Sequence, residues 1–127
     1  MKPKIDKLLI QLMNLHPKYI DLSLDRIKAL LNKLGNPHLN LSPTIHIAGT
    51  NGKGSTLSYL KHILNFNGYS VNAYISPHLS KFNERIVLNN KEVSTHKLLT
   101  CLQYVKSVNQ GKPITFFEIT TAAAFLL

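Results

Sequence analysis

Nine residues, Ala48-Gly49-Thr50-Asn51-Gly52-Lys53-Gly54-Ser55-Thr56, constrain this chain more than any other stretch. They follow a short β-like run, Thr44-Ile45-His46-Ile47, and open a helical pattern in which Leu57, Leu60, Ile63 and Leu64 share a face. Three glycines in six residues let the backbone turn tightly and bring its N–H groups against a ligand without interference from Cβ atoms. A helix starting here presents unpaired N–H groups and the positive end of its dipole, and Lys53 adds a full positive charge at the lip. A strand, a Gly-rich loop and a helix in this order are suited to holding phosphates.

The loop departs from G-x-x-x-x-G-K-[ST], which would place Gly at position 47 and Ser or Thr at position 54. Ile47 and Gly54 stand there instead, with the hydroxyls displaced to Ser55 and Thr56. The plain alternative is a chance Gly/Ser loop in a generic α/β protein. A P-loop kinase or GTPase fits less well, because Gly54 follows Lys53 and no guanine-reading motif is present.

With 127 residues the chain is one domain's worth or part of one, and 44% apolar content is enough for a core. Lys and Arg outnumber Asp and Glu by 15 to 6, for a net charge of +9 with neutral His. The positive charges are scattered through amphipathic helices with no dense basic run or aromatic-basic cluster, so small polyanions account for them as well as nucleic acid does. Cys101 stands alone among Leu98, Leu99, Leu102 and Val105, which points to core packing in a reducing compartment. The start, Met1-Lys2-Pro3-Lys4-Ile5-Asp6, lacks a signal-peptide apolar run, and the longest apolar tract, Ala122 to Leu127, is far shorter than the roughly 20 residues of a spanning helix. A cytoplasmic protein without a membrane or nucleic-acid partner is expected.

Ile5, Leu8, Leu9, Leu12, Met13 and Leu15 predict a first helix closed by Pro17; Leu24, Ile27, Leu30, Leu31 and Leu34 predict a second, capped by Gly35. Asn36 to Pro43 connects to the strand before the loop. Gly68 ends the loop helix, and Ser70 to Ile75 reads as a second strand, so strand, helix and strand predict a parallel pair with a right-handed crossover. The irregular run Ser76 to Glu84 follows at the strand's carboxyl end, where open α/β sheets bind ligands. Arg85-Ile86-Val87-Leu88, Asn89-Asn90 and Lys91-Glu92-Val93 predict a small hairpin. Ser94 or Thr95 caps a helix to about Val108, and Thr115 begins a nearly all-apolar helix to Leu127. The expected fold is α/β: a P-loop-type parallel sheet flanked by helices, with a small β-hairpin.

Six blocks carry a resemblance to the folylpolyglutamate synthase/dihydrofolate synthase branch of the Mur ligase superfamily. In chain order they are Ile20-Asp21-Leu22 with Leu24-Asp25-Arg26-Ile27; Leu34-Gly35-Asn36-Pro37-His38; His46 to Ser55; Ser76-Pro77-His78-Leu79; Phe82-Asn83-Glu84-Arg85-Ile86; and Thr115-Phe116-Phe117-Glu118. Peptidoglycan-building members carry a nucleotide-sugar domain before the loop, where this chain has two helices, and usually Thr in place of Gly54.

The resemblance implies an ATP-dependent ligase: ATP phosphorylates a carboxylate of dihydropteroate or a reduced folate, and the amine of L-glutamate attacks the acyl phosphate. Such chemistry depends on alignment and charge stabilisation more than on a reactive side chain. It implies ATP phosphates on Gly49, Thr50, Asn51, Gly52, Lys53, Gly54, Ser55 and Thr56, with Lys53 as the catalytic cation. It implies Mg2+ on Ser76, and substrate beside Tyr19, Ile20, Asp21, Leu22, His78, Phe82, Arg85, Thr115, Phe116, Phe117 and Glu118. Phe116 and Phe117 suit a core equally, Ser76-Pro77 an ordinary turn, and Glu118 a helix-start acid. His16, His38, His62 and His96 have no ligand spacing, and the role of His46 stays open.

Family members are several times longer and monomeric, and two further metal ligands, a Glu and a His, have no counterpart here. Residues 1–127 are thus expected to be an incomplete N-terminal ATP-binding domain, with the C-terminal glutamate-ligase domain absent. The alternative is a truncated, non-catalytic remnant that retains phosphate binding. On either reading the chain alone is expected to be neither a stable globule nor an active ligase, with the closing helix short of cover.

Overall fold

Ile5, Leu8 and Leu12 recur at helical spacing, and they form the buried face of α1 (Lys2–Met13) in a computed structural model that describes residues 2–17 and 22–127. The chain divides into two units, Met1–Leu41 with Ser94–Leu127, and Ser42–Val93.

The first unit is helical. After Met13 the chain tightens, with the N–H groups of Asn14 and Leu15 donating to the carbonyls of Gln11 and Leu12, so the helix closes before Pro17. The next helix, α2 (Asp25–Lys33), buries Leu30 and Leu31 and ends as expected. The Asn36 N–H reaches the Leu31 carbonyl at 2.8 Å and the Gly35 N–H reaches Asn32 at 3.1 Å, a pair of bonds that satisfies the last helical carbonyls. A short 3-10 turn, Pro37–Asn40, follows.

The helix that begins at Thr95 buries Leu98, Leu99, Cys101, Leu102, Val105 and Asn109, and ends at Asn109; in chain order it is α4 (Thr95–Asn109), since α3 (Lys53–Phe66) belongs to the second unit. Ser94 is its cap, accepting from the Lys97 N–H at 3.2 Å. Thr115 likewise caps α5 (Phe116–Leu126) by accepting from the Glu118 N–H at 3.2 Å. This last helix packs on α1, α2 and α4. The expectation that it lacks cover is corrected within this unit for one face only: Ile119, Ala122 and Ala123 are completely enclosed, while Thr121 and Ala124 to Leu127 stay half-buried. The small Ala side chains let neighbouring helices approach closely, and each enclosed Leu or Ile contributes roughly 2 kcal/mol of burial.

The second unit holds α3 and a three-stranded antiparallel sheet, β1 (Ala73–Tyr74), β2 (Ile86–Leu88) and β3 (Lys91–Glu92), in that spatial order. The hairpin forms as expected: Asn89 and Asn90 take φ of 50° and 69°, the two positive angles of a two-residue turn that matches strand twist. Val87 pairs with Glu92 and Leu88 with Lys91. Gly68 ends α3 with the same two-bond motif that ends α2.

The parallel pairing differs from expectation. Thr44–Ala48 forms no strand among the described residues, and Ile45 is 64% exposed. A strand persists only where a neighbour completes its hydrogen bonds and both faces are covered, and neither condition is met there. The segment 71–75 finds its neighbour in the returning chain: Ala73 pairs antiparallel with Val87 and Tyr74 with Ile86. The Ile75 N–H to Arg85 carbonyl bond (2.8 Å) and the Asn90 N–H to Val71 carbonyl bond (2.9 Å) extend the ladder at both ends. A short connection through residues 76–85 brings this partner close, which a helical crossover does at greater entropic cost.

Candidate functional site

The Gly-rich loop keeps the backbone its residue types call for. Gly49 and Gly52 adopt φ of 152° and 75°, angles that a Cβ would strain. Gly52 is the N-cap of the 14-residue α3, no side chain caps it, and the first helical bond runs from the Thr56 N–H to the Gly52 carbonyl at 2.9 Å. Helix geometry therefore leaves the N–H groups of Lys53, Gly54 and Ser55 without intrahelical acceptors at the positive end of the dipole. Gly49 to Thr56 are all exposed, and a Cβ built at Gly52 or Gly54 would meet nothing within 4 Å. Open space, N–H donors and a cation fit a chain of phosphates. The Lys53 ammonium donates to the Gly49 carbonyl, which folds the side chain back over its own loop.

Past β1, the run 76–85 is tied by one acid. The Glu84 carboxylate accepts the N–H groups of Leu79, Ser80 and Lys81, each at 2.9 Å. Those bonds, the Leu79 N–H foremost, hold its carboxyl below the usual value of 4.5. Three expected substrate residues come together here. Arg85, only 5% exposed, donates from Nε to His78 Nδ1 at 2.8 Å, and its guanidinium lies 5.1 Å from the centre of the Phe82 ring. Partial burial, then the Arg85 charge, keeps the His78 imidazole below its ordinary 6.5, with Glu84 pulling weakly the other way. Asn83 is buried and donates to the Val93 carbonyl at 2.9 Å.

Ser76 is exposed, and its peptide bond to Pro77 is cis. Among the described residues no group of three or more His, Cys, Asp or Glu is placed to hold a metal ion. Mg2+ takes a near-octahedral shell of carboxylates, water and phosphate oxygens. One serine hydroxyl does not make such a site, so the residues present do not fit a resident Mg2+ ion by themselves.

In the helical unit, Thr115, Phe116 and Glu118 are buried and Phe117 is half-buried. Glu118 Oε1 accepts from Arg26 Nε at 3.2 Å, from Arg26 Nη2 at 2.9 Å and from Thr115 Oγ1 at 2.7 Å. Its other oxygen, Oε2, is buried and has no hydrogen-bond partner among the described residues. Leu22 is 93% exposed, while Tyr19, Ile20 and Asp21 lie outside the described residues. Phe116, at 5% exposure, sits in the core.

Arg26 and Glu84 are the two structuring residues not assigned from sequence. The signal for Arg26 was a lone cation near the inward face of α2, and for Glu84 an acid three residues after a turn start. Among the histidines, His46, His62 and His96 are exposed, and the His38 ring lies 6.4 Å from that of Phe125. Cys101 donates to the Ala123 carbonyl at 3.5 Å, and burial pushes its thiol up to about 11. No helix among the described residues is long and apolar enough to cross a membrane.

Comparison with known proteins finds proteins to which this chain is similar. Over 108 residues the chain is 37% identical to the dihydrofolate synthetase of Saccharomyces cerevisiae, covering 84% of this chain and 25% of that protein. Over 110 residues it is 39% identical to the dihydrofolate synthase/folylpolyglutamate synthase of Bacillus subtilis, with 81% and 25% covered. The chain is similar to part of the folylpolyglutamate/dihydrofolate synthases. Its fold agrees with solved members of these synthases. A structure of E. coli FolC in complex with DHPP and ADP superposes at a TM-score of 0.84 and 35% identity, over 95% of this chain and 29% of that one. The folylpolyglutamate synthase of Thermotoga maritima superposes at 0.79 and 39%, over 98% and 29%. No protein-family model matches. The chain thus spans about a quarter of the length of the curated synthases it matches.

Proposed function

We infer that this chain carries the nucleotide-binding and pterin-binding front part of an ATP-dependent ligase that adds L-glutamate to dihydropteroate or a reduced folate. The observation that carries the reading is the uncapped start of α3 behind Gly49 and Gly52, with Lys53 at its lip and open space before it. It is joined by the likeness to synthases, among them one solved with DHPP and ADP. ATP phosphates rest on the N–H groups of Gly49 to Thr56. Lys53 leaves the Gly49 carbonyl to meet the β and γ phosphates, where its charge offsets that developing on the transferred group. The substrate carboxylate takes the phosphoryl group, and the glutamate amine displaces phosphate from the acyl phosphate.

Ser76 supplies one hydroxyl beside the phosphates, with the rest of any Mg2+ shell coming from outside the described residues. Tyr19 to Leu22 and Thr115 to Glu118 serve the pteroate substrate, and so do His78, Phe82 and Arg85. Residues 44–48 and the open edge of β1 are then parts of a parallel nucleotide-binding sheet completed by further strands, and 1–127 is the first part of that ATP-binding domain. The protein acts as a cytoplasmic monomer, on neither nucleic acid nor membrane.

A second reading, phosphate binding without catalysis, is favoured by the lack of a metal-holding cluster among the described residues. The experiment is to titrate the chain with ADP, and to follow product from ATP, L-glutamate and dihydropteroate. ADP binding that is lost in Lys53→Ala, with the fold intact by circular dichroism, is expected. Product favours the ligase; binding without product favours the remnant; no ADP binding overturns both.

A further inference from the structure

No dense basic run appears in the sequence, yet the helical unit gathers cations on one face. The α1 and α4 helices lie side by side, and the Lys106 ammonium on α4 donates to Gln11 Oε1 on α1 at 2.7 Å, across 95 positions of chain. Between them runs an open groove of about 570 Å³. Lys4, Lys7 and Gln11 form its α1 wall, and Gln103, Lys106 and Gln110 its α4 wall. Each set recurs at intervals of three and four, so each keeps to one face of its helix. Leu8 floors the groove but is only 6% exposed, so little apolar surface is on offer.

Charge is what this groove presents. Among the described residues no carboxylate lines it: α4 has no Asp or Glu, and Asp6, the one acid of α1, is not in the lining. Lys4 and Lys7 are exposed with no acidic partner among the described residues, and Lys106 rests on a neutral amide. Three ammonium groups without counter-charge along one groove make a positive potential that draws an anion. The carboxamides narrow its kind. A phosphate or a lone carboxylate only accepts, whereas Gln103 and Gln110 each present an acceptor oxygen beside their N–H donors. A peptide main chain has both N–H and C=O groups to meet them. Seven positions at about 1.5 Å each make the walls about 10 Å long, the span of about three extended residues.

We propose that the α1–α4 groove binds an extended acidic segment of a partner protein, its carboxylates on Lys4, Lys7 and Lys106 and its main chain on Gln103 and Gln110. This surface is separate from the Gly-rich loop and does not depend on the ligase reading.

The test is fluorescence anisotropy of a labelled, end-blocked hexaglutamate with the full 127-residue chain, beside an oligodeoxythymidylate of equal charge. Preference for hexaglutamate is expected, weakening several-fold as salt rises from about 50 to about 300 mM. The triple variant Lys4→Gln, Lys7→Gln, Lys106→Gln should weaken it about thirtyfold, roughly threefold per exposed charge. A control with Lys28→Gln, Lys61→Gln and Lys91→Gln lowers the net charge equally outside the groove and should lose less than about twofold. Gln103→Ala with Gln110→Ala should weaken hexaglutamate about fivefold and leave the oligonucleotide unchanged. Circular dichroism checks that each variant folds; should the triple variant fail, Lys4→Gln with Lys7→Gln, both exposed, decides at about tenfold. Equal losses in the control and groove variants would mean net charge alone and overturn the proposal. Tighter binding of the oligonucleotide would overturn it in favour of nucleic acid, and so would a chain that does not bind hexaglutamate at all, leaving the groove unassigned.

Discussion

Glu84 accepts the backbone N–H of Leu79 at 2.9 Å, across five residues of a segment whose one regular piece among the described residues is the 3-10 turn Phe82–Arg85. With the Ser80 and Lys81 N–H groups on the same carboxylate, this bond gives the run after β1 its shape. Because the folded carboxyl titrates below its ordinary value of 4.5, the stabilisation is fully present above pH 4.5. It is lost as pH falls through the lowered folded value. Acid should therefore loosen 79–81 before the helices, read as amide chemical shifts of Leu79, Ser80 and Lys81 moving below pH 4.5. Glu84→Gln should shift those amides at neutral pH; unchanged amides would refute the role.

The Arg26–Glu118 pair also makes a prediction about stability. Glu118→Ala leaves the Arg26 charge three-quarters buried and removes an acceptor from Thr115, so it should cost about 3 kcal/mol. Replacing both with apolar residues, Arg26→Met with Glu118→Met, should cost much less, because no unpaired charge remains. Thermal unfolding of the single and double variants measures the difference. Equal losses would show that the pair is no unit.

Gly54 separates folding from binding. It lies in the first turn of α3 with ordinary helical φ, and a Cβ there has nothing within 4 Å. Gly54→Ala should raise stability by roughly 0.5 kcal/mol through the unfolded chain. The same methyl stands where phosphates approach, so ADP affinity should fall about tenfold, the equivalent of about 1.4 kcal/mol. Calorimetric titration with ADP checks the loss; undiminished affinity would remove Gly54 from the phosphate cradle.

Cys101 should be chemically quiet. A thiol raised to about 11 is thiolate in only about one molecule per thousand at pH 8. Iodoacetamide should label it slowly in the folded chain and readily in denaturant, by mass spectrometry. Rapid labelling of the native chain would contradict the packing of α4 against α5.

Much of the local structure was legible because its causes lie within a few residues. Ser94 and Thr115 are caps for the N–H groups three positions on, Gly35 and Gly68 end helices by their own φ, and Asn89-Asn90 makes a hairpin turn through two positive angles. The glycines and Lys53 of the loop before α3 are readable for the same reason: the feature is backbone conformation and sequence order. His78, Phe82 and Arg85 were named as a group, yet their stacking depends on Glu84 drawing the segment together.

By itself, then, the amino-acid order determined where helices begin and end, which turn closes the hairpin, and that a Gly-rich loop precedes α3. Only the tertiary structure decided what each segment lies against. It gave residues 71–75 an antiparallel neighbour in 85–90 rather than a parallel one in 44–48. It packed one face of the apolar α5 on α1, α2 and α4, and it set Arg26 on Glu118 across 92 residues of chain. Caps and turns are settled by bonds between near neighbours. Strand partners, core faces and buried ion pairs are settled by competition among distant segments, and no local pattern records which of them wins.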